Sequence, residues 1–272
     1  MKYLIKNPVS IALCFIFFAG ALAGCRSVEE YIIPKKEYIA YDEIKYNVVH
    51  PVNIEIIGQT GNIEIYSWDE KAVKFEIAKK VRLADESLGD KLTKNIKIIT
   101  NCENEKDIIL EWKCEGQEGS ILDYQVDLKV LLPKKVESIK CKIDVGKVRI
   151  FDDLKCELFA DFNMVNIKIN KFEGTLKLKG EMSNLEINEG TIKNGSEVKV
   201  NMGNIKIKAN YEAGGSYYLE TNVGNIDLTL PSDLAVSFEN NGYVQVNEFE
   251  PGNHPVKIKT ACGMGRICIY KY

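Results

Sequence analysis

A short motif recurs about every twenty residues in the second half of this chain, and it limits the possible folds more than any other feature. It contains a polar residue, an apolar residue, a small residue that is usually Gly, then Asn and an apolar–polar–apolar triplet. Seven copies occupy residues 144–150, 163–169, 181–187, 201–207, 222–228, 240–246 and 263–269, and an earlier copy occupies 59–65. Two short strands per twenty-residue unit are typical of a β-solenoid. The motif therefore predicts an all-β fold in which residues 134–272 form a single-stranded, β-helix-like coil with rungs of about twenty residues.

The triplet predicts which side chains face inward. Because side chains alternate across a strand, the two apolar positions of each copy should point into the coil and the residue between them should face solvent. The outward column reads Arg149, Lys168, Glu186, Lys206 and Asp227. From Lys168 onward the charge alternates between copies, which favours stacking in this register.

The Asn and Gly positions predict a corner in every rung. Asn and Gly both tolerate the left-handed backbone that a corner requires, and stacked amides can form hydrogen bonds along the stack. An Asn-lined ligand groove is the alternative interpretation of the same column.

Residues 46–133 predict a β-rich region of a different kind, continuous with the repeats in one domain. Strands are expected at 48–66, 73–81, 96–102, 108–114 and 121–132, the first as a hairpin or a first rung. One short helix is expected near 84–94. Residues 25–45 are charged and irregular, and we interpret them as a tether.

The N-terminus resembles a bacterial lipoprotein signal peptide, residues 1–24. Lys2 and Lys6 precede an uncharged stretch that ends in Leu-Ala-Gly-Cys at 22–25. We predict cleavage between Gly24 and Cys25 and attachment of acyl chains such as palmitate to Cys25, which would anchor the protein outside the cytoplasm on the cell membrane. A plain secretory signal or a short membrane helix is the alternative, although the apolar stretch is short for a span of roughly 20 residues.

The remaining composition limits partners and cofactors. The net charge is −3, and no basic tract is present, so nucleic acid is not expected as a partner. Six cysteines follow Cys25. If residues 103–107 form a hairpin turn, Cys102 lies opposite Ile108 and Cys114 opposite Ile96, too far apart for a disulfide. Cys141 is expected in the core, and pairing of Cys262 with Cys268 stays open.

The chain resembles a bacterial envelope family known as "putative adhesin", a β-strand-repeat domain of unknown function. The resemblance covers roughly residues 46–272 and rests on the segment 57–68, Leu132-Pro133, the repeated Gly-Asn-Ile and the segment 221–226 followed by Leu230-Pro231. Val165 and Ser183 stand where the pattern has Gly. The resemblance implies an architecture and names no active site.

No residue pattern indicates catalysis, a metal site or a small-molecule cofactor. His50 and His254 lack metal-ligand spacing, and no Cys-x-x-Cys pair exists. The carboxylates of Asp144, Asp152, Asp153 and Asp161 are interpreted as solvated turns rather than as an acid–base or calcium site. Six aromatic residues are weak candidates for a glycan or peptide surface: Tyr66, Trp68, Tyr211, Tyr217, Tyr218 and Tyr243. Trp112 is expected in the core.

The sequence therefore predicts a lipid-anchored, non-catalytic envelope protein that binds a partner, serves adhesion or has a structural role. An envelope glycan or a protein are both possible partners. Two alternatives are an accessory or sensor domain of an envelope-stress system and a carbohydrate-active enzyme of the β-helix type.

Overall fold

The computed structural model describes residues 36–49, 51–83, 88–115 and 123–272. Within these residues the chain forms one short helix, α1 (Gly89–Asn95), and seventeen strands. The strands are β1 (Lys36–Asn47), β2 (Val52–Trp68), β3 (Ala72–Leu83), β4 (Ile96–Glu103), β5 (Asp107–Cys114), β6 (Asp123–Pro133), β7 (Val136–Lys155), β8 (Glu157–Gly174), β9 (Leu176–Met182), β10 (Asn184–Ile192), β11 (Glu197–Met202), β12 (Ile205–Lys208), β13 (Asn210–Tyr211), β14 (Ser216–Leu230), β15 (Val236–Asn241), β16 (Val244–Asn247) and β17 (Val256–Lys271). The all-β prediction with one short helix is confirmed.

The motif copies stack in parallel with equivalent positions side by side. Counting from β2, the order is β7, β8, the pair β9 and β10, the pair β11 and β12, β14 and β17. One inward column therefore runs through Ile63, Val148, Ile167, Leu185, Ile205, Ile226 and Ile267, all of them buried. The predicted register between these copies is confirmed.

The prediction of a β-solenoid is wrong, because six parallel strands close into a barrel and the other strands are bonded outside it. The closed ring runs β8, β9, β11, β14, β12, β10 and back to β8. Strands β8 and β14 cause the closure because they do not end at the Asn corner. Each continues through the corner, so β8 bonds to both β9 and β10, and β14 bonds to both β11 and β12. These shared strands join the two halves of the stack into one ring.

The order of stacking also departs from the order of the chain. The C-terminal strand β17 lies between β14 and the pair β15 and β16. Asn240 lies opposite Thr260 and Val244 opposite Ile267, with a register shift before Val246, so the copy at 240–246 does not align with its neighbours throughout. The long edge of β14 pairs with β17 along nearly its whole length, which forms more continuous hydrogen bonds than the short β15 and β16 offer.

The first half of the chain adds a mixed sheet. Strand β3 is antiparallel to both β1 and β6, while β5 and β6 are parallel to β2. Residues 52–66 of the predicted segment 48–66 lie in the single strand β2, which pairs with the first repeat strand β7 as a first rung would and does not form a hairpin. Residues 36–45 of the predicted tether lie in β1. Helix α1 covers the second half of the predicted segment 84–94; residues 84–87 lie outside the described part.

The cysteines support the predicted hairpin. Ile96 lies opposite Cys114 and Cys102 opposite Ile108, which confirms the register of β4 and β5. Cys141 is buried beside Ala160, as predicted, and burial raises the pKa of its thiol. Cys262 and Cys268 are both free thiols and lie six residues apart on the continuous strand β17.

Candidate functional site

An exposed group of lysines surrounds one aromatic ring on the outer side of β7, β8 and β9. We call it the lysine face, and it consists of Lys140, Lys142, Phe159, Asp161, Lys177 and Lys179. Its residues alternate with buried side chains on the same strands, such as Cys141, Ala160 and Leu178. The pleat of the strands thus fixes which side chains form the face.

The register gives the face a regular geometry. Phe159 lies between Lys140 and Lys177 on the neighbouring strands, and Asp161 lies between Lys142 and Lys179. Neighbouring strands are about 4.8 Å apart, so the Cα atoms of Lys140 and Lys177, and those of Lys142 and Lys179, are roughly 10 Å apart. The face is slightly concave and contains a shallow cavity of about 520 Å³, which Glu55, Glu197 and Lys199 also border.

The four ammonium groups of this face are available for a ligand. In the described residues none of them forms an ion pair, and the Nζ of Lys177 lies 5.8 Å from the centre of the Phe159 ring. The outward column on the other half of the stack is different. There Glu186 pairs with Lys168 at 3.0 Å and with Lys206 at 3.2 Å, as the sequence predicts.

A second concavity, of about 690 Å³, lies between β1, β3 and β6 on one side and β2 and β7 on the other. Its carboxylates are already engaged: Asp127 accepts a hydrogen bond from Asn62 at 2.9 Å and pairs with Lys80 at 2.7 Å. Hydrogen bonds from Lys74, and then from Lys129, lower the pKa of Glu76. A carboxyl held in its ionised form is a poor general acid, so this cleft is a weaker candidate for chemistry.

Three of the four aspartates considered from the sequence have separate partners. Asp144 accepts a hydrogen bond from Asn163 at 2.7 Å, Asp152 accepts one from the backbone N–H of Ser67 at 2.8 Å, and Asp153 pairs with Lys171 at 3.2 Å. Asp161 belongs to the lysine face. Among the described residues, no group of three or more His, Cys, Asp or Glu side chains is placed to hold a metal ion.

The predicted aromatic candidates do not form one surface. Tyr211 and Tyr217 are buried and pack edge to face, while Tyr66 stacks on Phe151 with ring centres 4.6 Å apart. The indole N–H of Trp68 donates to the carbonyl of Ala72 at 2.7 Å. Tyr218 is half-buried on β14, which β11 separates from the lysine-face strand β9. Tyr243 is 67% exposed.

Phe159 and the lysines around it were not predicted as a site. Leu158, Ala160 and Phe162 are predicted to face inward, which places Phe159 on the outer surface. This alternation was the signal in the sequence that could have identified an exposed aromatic residue. Trp112 is buried, as predicted, and its indole N–H donates to the carbonyl of Thr60 at 3.2 Å.

The corner asparagines bond to one another, as the corner interpretation predicts. The Oδ1 of Asn184 accepts hydrogen bonds from both the backbone and the side chain of Asn204, and Asn204 does the same for Asn225. These bonds use the amide groups that a ligand groove would have offered.

Cys25 and Gly24 lie outside the described residues, as does His50. In the described part of the chain, no helix has the length and apolar character required to cross a bilayer.

Comparisons with known proteins give structural neighbours only. No family model matches the chain, and no curated protein matches it. A "putative adhesin" of Parabacteroides distasonis is 13% identical with a TM-score of 0.44, and the match covers 86% of this chain and 97% of that one. A "putative adhesin" of Bacteroides fragilis is 15% identical with a TM-score of 0.42, covering 85% and 97%. A "putative cell adhesion protein" of Clostridium sporogenes is 14% identical with a TM-score of 0.36, covering 87% and 100%.

The names of these structures agree with the family resemblance seen in the sequence. Because the TM-scores are below 0.5, we argue the function from this chain's own residues.

Proposed function

We propose that this protein is a lipid-anchored, non-catalytic binding module of the cell envelope that uses its lysine face to bind an acidic glycan. One observation carries the proposal: four exposed lysines, which form no ion pair with the described residues, surround a half-buried aromatic ring on one sheet. Glycan is the partner class favoured by the combination of a ring surface with cationic groups on both sides of it.

The chemistry of the face matches sugars that carry carboxylate, sulfate or phosphate groups. A sugar ring can pack its C–H face on Phe159, while its anionic groups contact Lys140 and Lys177 on either side. Each exposed ion contact contributes at most about 1 kcal/mol. A polymer that engages several lysines at once gains affinity through effective concentration. We therefore expect weak binding to a monomer and stronger, salt-sensitive binding to a polymer.

Anchoring through Cys25 would hold this face close to the envelope glycans. One acyl chain gives only marginal membrane binding, so stable anchoring requires a second chain or a second signal. Cys25→Ser should abolish lipid labelling and block cleavage before residue 25. Unchanged labelling of this variant would disprove the anchor while leaving the glycan proposal standing.

The binding proposal can be tested with polygalacturonate, a polymer of uronic acid, and with neutral dextran. The full-length chain should bind polygalacturonate and not dextran. The double variant Lys140→Ala/Lys177→Ala should bind about tenfold more weakly, since the two ion contacts beside Phe159, which contribute up to about 2 kcal/mol together, are lost. Raising the salt concentration should weaken the unmodified chain more than the variant.

The hairpin of β4 and β5 provides a matched control. Lys97 and Lys113 lie opposite each other, are exposed and form no ion pair with the described residues. Lys97→Ala/Lys113→Ala makes the same change in net charge away from the face. Equal loss of binding in both double variants would show a general charge effect and would contradict the proposed site.

A further inference from the structure

All the methionines after Met1 lie in one exposed column. The chain has five methionines, and Met164, Met182, Met202 and Met264 each occupy the second position of a motif copy. Their exposed fractions are 44%, 46%, 43% and 68%. Methionine is usually a core residue that fills irregular gaps, yet none of these four is buried. Apolar character alone does not explain the choice, because valines serve at the same position in two other copies.

Three of these methionines occupy consecutive rungs. Met182 lies directly opposite Met202. Pairings on either side of the corner, Phe162 with Gly180 and Asn166 with Asn184, place Met164 on the other side of Met182. We call Met164, Met182 and Met202 the methionine triad. Neighbouring Cα atoms in it are about 4.8 Å apart, and each flexible side chain can bring its sulfur toward the central one.

Met264 does not belong to the triad. Val223 lies opposite both Met202 and Met264, so one apolar residue without sulfur separates them. The column therefore contains three adjacent thioethers and one isolated thioether in the same kind of corner, which provides an internal comparison.

The side chains next to the triad have already used their polar groups. The Nδ2 of Asn201 donates to Glu181 at 3.1 Å, and the Oδ1 of Asn201 accepts from Asn222 at 3.0 Å. On the other side, Asn184 and Asn204 form the amide ladder. The thioether sulfurs are thus the available donor atoms on this edge.

We propose that the methionine triad binds one soft monovalent metal ion, Cu(I) or Ag(I). Thioether sulfur is a soft ligand that selects Cu(I) over hard cations such as Mg²⁺ or Ca²⁺. Three neutral sulfurs can surround a monovalent ion without deprotonation, so no proton is released. No electron transfer is needed when the ion arrives already as Cu(I) or Ag(I). The site uses no residue of the lysine face and is independent of glycan binding.

The test uses Ag(I), which is redox-stable, and the full-length chain labelled with ¹³C at the methionine methyl groups. Accessible thiols are first alkylated, because Cys102 and Cys114 are only partly buried. The methyl signals of Met164, Met182 and Met202 should shift together and saturate at one Ag(I) per chain. The Met264 signal should not follow that curve. Absence of shifts in the triad, or a Met264 shift with the same dependence, would overturn the proposal.

Two matched variants complete the test. Met182→Leu removes the central sulfur and keeps an apolar side chain of similar size, so the fold should be retained. It should weaken Ag(I) binding by more than about tenfold, since the loss of outer-shell partners alone costs that much at metal sites. Met264→Leu should leave the affinity unchanged. Equal effects of the two variants, whether large or absent, would contradict a site built by the triad.

Discussion

The motif copies in the second half of the chain and the mixed sheet in the first half are stabilised by one continuous core but are specified differently. In the copies, most corners repeat the same Asn, Gly and apolar positions, so one rule sets most of the pairings. In the first half, β1, β3 and β6 pair antiparallel while β5 and β6 run parallel to β2, and no repeated residue marks these partners. A repeated local pattern determines register, whereas pairing between distant, non-repeated strands depends on the packing of the whole domain.

A charge inside the ring should have the largest effect. Ile205 is fully buried between Leu185 and Ile226, so Ile205→Asp would bury a carboxylate without a partner. We expect a loss of at least about 4 kcal/mol in the free energy of unfolding. Lys206→Glu, one residue further, faces solvent and should cost about 1 kcal/mol or less. Thermal melts in which both changes are equally mild would show that the register is wrong by one residue.

Truncation of the largest buried side chain tests whether the two regions share a core. Trp112 is buried in the first half against Gly58 and Gly61. Trp112→Ala should cost about 3–5 kcal/mol. Because the buried residues form one cluster across both regions, denaturant unfolding should remain a single transition. Two separate transitions in this variant would mean that the regions fold independently.

A methyl group added at the corner should have an intermediate effect that depends on stacking. Gly224 has a φ of +148°, and a Cβ there would lie 1.9 Å from the carbonyl oxygen of Gly203 on the adjacent rung. Gly224→Ala should therefore destabilise the fold by about 3 kcal/mol. Gly214 also has positive φ, +76°, but open space around it, so Gly214→Ala should cost about 1 kcal/mol. Similar melting temperatures for the two variants would contradict close stacking at the corners.

The smallest expected effects concern one surface carboxylate in each region. Hydrogen bonds from Lys168 and Lys206 lower the pKa of Glu186, and those from Lys74 and Lys129 lower that of Glu76. A lowered folded-state pKa gives stability that is present above the unfolded-state pKa and is lost as the pH falls through the folded-state value. Each Glu→Gln change should cost no more than about 1 kcal/mol at pH 7, after allowance for solvent screening. At a pH below both the folded-state and the unfolded-state pKa of the Glu, the cost of its replacement should vanish. A cost independent of pH would exclude the ion pairs as its cause.

The sequence was sufficient for the register of most copies, the inward columns and the β4–β5 hairpin, because period and parity are local properties. It was not sufficient for the closed barrel. The corner residue does not decide whether a strand continues: β8 continues through Val165 and β14 through Gly224, whereas β11 ends before Gly203. The position of β17 between β14 and β15 likewise depends on which strand pairs with the edge of β14. No local sequence pattern indicates that choice. The alternation of inward and outward residues in the sequence was enough to place the lysine face on the outer surface. The sequence could not show that its lysines form no ion pairs with the described residues, while the outward column on the other half of the stack does form them.

The most direct test of the account is a lysine footprint of the full-length chain. Exposed lysines are acetylated briefly with and without polygalacturonate, and the modification of each is measured by mass spectrometry. We predict that the polymer slows acetylation of Lys140, Lys142, Lys177 and Lys179 and leaves Lys97 and Lys113 unchanged. Equal protection of all six lysines, or protection of Lys97 and Lys113 alone, would contradict the lysine face as the binding surface.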